Sequence, residues 1–70
     1  MNNNTFIRKK IMDLRDERIR LQREIASLED KEFWTPWLCT EDDTQRLTQC
    51  KLEVHLIKMQ ENALRKEMQI

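Results

Sequence analysis

Glycine and tyrosine are absent from this 70-residue chain, proline and histidine occur once each, at Pro36 and His55, and cysteine only twice, at Cys39 and Cys50. Each shortage excludes something. Without glycine there is no Gly-rich loop to cradle a phosphate. Without an Asn-Gly or similar pair between alternating apolar runs, no tight β-hairpin is expected. The lone histidine stands five residues from Cys50, so on a helix the two fall on different faces and form neither a metal pair nor a Cys-His dyad. No metal, cofactor or small-molecule substrate is therefore expected, and the chain reads as non-enzymatic. No apolar run approaches the ~20 residues of a membrane span. The opening Met1-Asn2-Asn3-Asn4-Thr5 lacks the apolar centre of a secretory signal. Together these predict a cytoplasmic protein with no membrane contact. On a helix, Cys39 and Cys50 would lie roughly 15 Å apart, beyond disulfide reach, so both thiols are expected to be reduced. A redox role for Cys39 is the alternative.

What remains favours helix. Leu, Ile, Met, Arg, Lys, Glu and Gln dominate, and β-branched residues are scattered. From Ile7 the apolar residues Ile7, Ile11, Leu14, Leu21, Ile25 and Leu28 recur at alternating spacings of four and three, with Arg18 in one slot. That is the seam of a coiled coil. It predicts a first helix over about 5–32, capped by Asn4 or Thr5. Glu32 to Cys39 breaks the period, and Pro36 pushes the residue before it out of helical geometry, so the connection is placed at about 33–40. Thr40 followed by Glu41, Asp42 and Asp43 restarts a helix through a hydroxyl cap and three acids at the positive end of the dipole. The second helix, about 41–69, carries Leu47, Cys50, Val54, Ile57, Leu64 and Met68 at the same spacing, with Glu61 in one slot. Two rods of similar length joined by a short connection predict a single all-α domain over 1–70, an antiparallel two-helix hairpin. A bent continuous helix and a parallel pair are the alternatives.

A second stripe runs along the second helix: Leu52, Leu56, Met59, Ala63 and Ile70, with Lys66 filling a slot. At about 100° per residue it lies roughly 150° around the helix from the seam and cannot face the same neighbour. The first helix has a weaker version in Met12, Ile19, Ala26 and Phe33. A solitary hairpin would leave these in water, forfeiting several kcal/mol at about 25 cal/mol per Å². Homodimerisation into a four-helix bundle, or docking on a partner protein, is the expected remedy. The plainer alternative is tolerated surface residues.

Arg18 and Glu61 interrupt their seams and are candidates for a pair that fixes register or partner choice. In the simplest register they are offset by about four to six residues, or 6–9 Å. Contact across a dimer is therefore expected to be easier than contact within one chain. The alternative puts both at a solvated edge.

The formal net charge is zero, but it is unevenly distributed. Residues 5–25 carry seven basic against four acidic residues, and residues 29–43 carry six acids against Lys31. A hairpin would thus be acidic at its tip and basic at its open end, where Arg8, Lys9, Lys10, Arg65 and Lys66 could contact an anion. This keeps an RNA- or DNA-binding dimer in view. Interleaved acids weaken it, since Asp16 with Arg20, Asp42 with Arg46 and Glu61 with Arg65 can pair along one helix. At the tip, Phe33, Trp34, Trp37 and Leu38 concentrate the aromatic surface. They would either contact a partner or cap the end of the core and lock the turn around Pro36.

No diagnostic family motif is present. In layout alone, the chain resembles the small plasmid- and phage-encoded helical hairpins that dimerise or cap a host protein. That resemblance implies a small regulator or inhibitor; a secretion- or assembly-type co-chaperone is a third class, which differs from the first only in its partner.

Overall fold

A computed structural model describes residues 3–68 and shows an antiparallel hairpin of two long helices, α1 (Asn3–Trp34) and α2 (Glu41–Met68), joined through one 3₁₀ turn at Pro36–Leu38. The rod measures 55 × 15 × 14 Å. Among the described residues there is no strand.

α1 is helical from Asn3, so Asn4 and Thr5 lie inside it and do not cap it, contrary to the sequence expectation. Adding a residue to an existing helix fixes one further residue for one further bond, and nothing in the polar lead opposes that. At its other end α1 runs two residues past the expected stop, to Trp34. Only the residue preceding Pro36 is forced out, and Thr35 adopts φ −136°, ψ 59°. The helix end is then closed locally: the Thr35 amide and hydroxyl both donate to the Lys31 carbonyl at 2.9 Å. The Leu38 amide donates to the Thr35 carbonyl, also at 2.9 Å, and so closes the turn.

α2 begins as its sequence predicts. The Asp43 amide donates to Thr40 Oγ1 at 3.2 Å, and the Thr40 amide donates to Asp43 Oδ2 at 3.1 Å. This is a reciprocal capping box with Asp in the third position.

The helices meet along the two heptad seams. Ile7, Ile11, Leu14, Leu21, Ile25 and Leu28 on α1 are all buried or half-buried, as are Leu47, Cys50, Val54, Ile57, Leu64 and Met68 on α2. Full burial is confined to the middle of the rod, where Leu21, Cys50, Val54 and Ile57 form the core and Leu14 and Ile25 pack against it. Among the described residues four buried apolar side chains form this core, a thin one for a hairpin of this length. Ion pairs between the helices line it. Arg46 is bidentate on Glu24, with Nε to Oε1 at 2.7 Å and Nη2 to Oε2 at 2.9 Å. Lys31 Nζ reaches Asp43 Oδ2 at 2.8 Å, and Lys51 stands 3.8 Å from Glu29.

Candidate interaction surfaces

On α2, Leu52, Leu56 and Met59 occupy one continuous exposed face, which Ala63 extends toward the open end. Leu52 and Met59 are each 57% exposed and Leu56 47%, and Ala63 and Lys66 are exposed with them. Ile70, the last member of the expected stripe, lies outside the described residues. On α1, Met12, Ala26 and Phe33 are exposed as expected. Ile19 departs from this: it is half-buried. An offset nearer 120° than 180° places a residue on the flank of a seam, where the opposite helix shades it.

The tip is the second surface. Phe33, Trp34 and Trp37 are between 70% and 76% exposed, and Leu38 is exposed beside them. Phe33 and Trp34 meet edge to face with ring centroids 4.9 Å apart, so their contact is with each other. That exposure counts against the reading in which these residues cap the core and lock the turn. The Lys31–Asp43 ion pair links the two helix ends, which are closed locally by the Thr35 bonds to Lys31 and by the Thr40–Asp43 box. The Asp43 hydrogen bond raises the pKa of Lys31. Lys31, with help from the Thr40 amide, lowers that of Asp43. The sequence reasoning missed this clasp. Its signal was present, because Lys31 and Asp43 stand equally far from Trp37 in the chain.

At the open end Arg8, Lys9, Lys10, Arg65 and Lys66 are all exposed. A shallow groove of about 510 Å³ opens there between Phe6, Lys9, Lys10, Asp13 and Leu14. A neighbouring depression of about 310 Å³ shares Lys10 and Leu14 and reaches Gln60, Ala63 and Leu64. Through Ala63 the α2 stripe therefore runs into the basic end.

The Arg18–Glu61 expectation requires correction on two counts. The pair forms inside one hairpin, with Arg18 Nε donating to Glu61 Oε1 at 2.9 Å. It is also not at a solvated edge: Glu61 is only 3% exposed, and among the described residues no buried side-chain polar atom lacks a partner. An offset of a few residues, which makes contact across a dimer the easier expectation, is bridged within one chain by the combined reach of the two side chains. Arg65 Nη2 approaches the second Glu61 oxygen at 3.7 Å, as its spacing suggested. The other two expected pairs along α1 and α2 give way to different partners: Arg20 binds Glu17, and Arg46 crosses to Glu24. The Arg46 hydrogen bonds lower the Glu24 pKa and raise that of Arg46.

Cys39 and Cys50 are free thiols, and burial with the nearby Glu24 charge pushes the Cys50 pKa up, which suppresses its thiolate. His55 is exposed. Among the described residues no group of His, Cys, Asp and Glu is arranged to hold a metal ion, and no helix is long and apolar enough to cross a membrane.

The fold and these surfaces define a coiled-coil-type helical hairpin with three candidate contact regions: an apolar stripe, an aromatic tip and a basic end. No protein-family model matches the chain, and no curated protein or solved structure is significantly similar to it.

Proposed function

We propose that this chain is a non-enzymatic protein–protein interaction module, which self-associates through the α2 stripe and offers its aromatic tip to a protein partner. The observation that carries this is the uncovered face of Leu52, Leu56, Met59 and Ala63 on a rod whose own core holds four buried apolar residues. Burying the exposed half of each large side chain contributes about 1 kcal/mol at 25 cal/mol per Å². Association in the micromolar range or weaker follows once the loss of translational freedom is set against it. The tip supports the second half of the reading, since an exposed Trp pair beside a Phe is the composition that dominates binding hot spots.

Sedimentation equilibrium tests self-association. Over about 10 µM to 1 mM the mass is expected to rise from 8.6 kDa toward twice that value. A Leu52→Glu/Leu56→Glu variant should stay at 8.6 kDa with its helicity intact. A wild-type chain that remains monomeric throughout defeats the proposal.

One observation favours a second reading, nucleic-acid binding: Arg8, Lys9, Lys10 and Lys66 are exposed, and among the described residues no carboxylate pairs with them. Asp13 and Glu67 sit among them and weaken the field. Copurifying material with a high 260/280 nm absorbance ratio, released by salt, would favour this reading over the first.

A further inference from the structure

The ion pairs within the hairpin leave a revealing remainder. Among the described residues Arg8, Lys9, Lys10 and Lys66 have no salt-bridge partner at the open end, where Asp13 and Glu67 are the opposing unpaired charges. At the tip Asp30, Glu32, Glu41 and Asp42 are likewise unpaired. Between the ends, the unpaired Arg15, Asp16, Arg23, Glu53 and Lys58 leave a single positive charge. Once internal pairing is complete, the rod is negative at one end and positive at the other.

The apolar stripe has its own symmetry. Leu52, Leu56, Met59 and Ala63 are spaced four, three and four, a sequence that reads the same in both directions. A two-fold axis midway between residues 57 and 58 therefore sets Leu52 against the partner's Ala63 and Leu56 against the partner's Met59, large against small in the first case. That axis crosses α2 about 25 Å from its first residue. On a rod 55 Å long this is the middle, so two copies related by the axis overlap along their whole length.

We propose that two copies of this chain pair antiparallel, α2 against α2, so that the acidic aromatic tip of each lies at the level of the other's basic end. The inference rests on the self-association reading above and adds the orientation. A parallel pair would bury the same stripe, but it would bring both acidic tips together and both lysine-rich ends together. Like charges within a Debye length of about 10 Å repel, and the antiparallel pair removes that repulsion at both ends. Because the stripe points away from α1, the two α1 helices lie on the outside of the assembly. Phe33, Trp34 and Trp37 then project from both ends. The dimer is a double-ended connector able to engage two partner molecules at once.

Cys39 supplies a probe at the tip without any substitution. It is half-exposed, whereas Cys50 is shut in the core and stays unlabelled. A spin label on Cys39, read by pulsed dipolar spectroscopy at a concentration where the mass is that of a dimer, should give a separation of about 55 Å. A parallel pair places the labels within roughly 10–20 Å, the spacing of packed helices, and that result overturns the orientation. A monomer mass with no dipolar signal overturns the self-association on which it rests, so the two failures are distinct. Neutralising the tip gives an independent sign. The changes Asp30→Asn and Glu32→Gln remove acids from the C-terminal turn of α1, where they oppose the helix dipole, so the hairpin itself should not suffer. At low salt they should weaken an antiparallel dimer several-fold. An unchanged or tighter dimer counts against the proposal.

Discussion

Removing Arg18 while keeping Glu61 is the sharpest perturbation the structure offers. Glu61 is 3% exposed on an otherwise apolar seam, and its close partner is Arg18 Nε at 2.9 Å. Breaking a fully buried pair by deleting one member costs about 3–5 kcal/mol, because the surviving charge is left without compensation. Here the cost is reduced: the Arg18 side chain is 22% exposed, and Arg65, at 3.7 Å, can close on the other Glu61 oxygen. Roughly half the full figure, about 2 kcal/mol, is therefore expected for Arg18→Leu. For a domain of this size, that lowers the melting temperature by about 10 °C. The reverse deletion is milder. In Glu61→Leu the surviving guanidinium can turn into water along its aliphatic stem, and a loss of about 1 kcal/mol or less is expected. Replacing both by Leu should be neutral or stabilising, since neither charge then needs compensation. The charge swap, Arg18→Glu with Glu61→Arg, should recover part of what either single reversal loses. Because the pair lies within one chain, that recovery should be read in the unfolding curve before the assembly state. The assay is thermal unfolding followed by far-UV circular dichroism at one fixed protein concentration, since association would shift the midpoint. An Arg18→Leu variant as stable as the wild type, or less damaging than Glu61→Leu, refutes the reasoning.

Other residues make smaller claims. Thr40→Ala removes the hydroxyl that accepts from the Asp43 amide, and should cost about 1 kcal/mol, seen as a lower midpoint in urea unfolding. Acid should destabilise the hairpin through Glu24 and Asp43, whose carboxyls are held below their unfolded values by Arg46 and Lys31. Such groups contribute stability above the unfolded carboxylate range, about pH 4, and lose it as pH falls through the lower folded values. Unfolding measured from pH 7 downward should therefore show a decline that Glu24→Gln and Asp43→Asn reduce. A decline of the same size in that double variant would assign it to other carboxylates. Trp37→Ala should change stability by no more than about 0.5 kcal/mol, because the side chain is 76% exposed. Melting of the variant would show that the ring supports the turn after all.

Much of the fold was legible because the relevant signals are local or periodic. The spacings of four and three fixed both seams, and every one of their apolar residues is buried or half-buried. The connection was readable from Pro36, and the second helix start from Thr40 and three acids, because each acts on its own backbone. The helix ends were less legible. Asn4 and Thr5 have capping side chains, but capping is a preference, and a helix with no breaker before it extends through them. Ion pairing was the least legible. Arg18, Arg20 and Arg46 each had a plausible acidic neighbour on their own helix or none at all in reach, yet two of them cross to α1 or α2 for their partners. Long flexible side chains erase the few ångströms of register on which such assignments depend.

The same side-chain reach explains why the two apolar faces of α2 differ in consequence. Both obey one heptad arithmetic, and nothing in the pattern itself ranks them. Connectivity does: a six-residue stretch between α1 and α2 permits only one mutual face, and the charged clasp at Lys31–Asp43 with the bidentate Glu24–Arg46 pair fixes which one it is. Once Leu47, Cys50, Val54 and Ile57 turn inward, a stripe roughly 150° away is beyond anything α1 can shield, whatever its side chains do. On the self-association proposed above, a helix that is apolar on two nearly opposite sides sits in the middle of an assembly, with a neighbour on each side. The hairpin supplies one of those neighbours, and the unequal charge of its two ends bears on how the other is oriented.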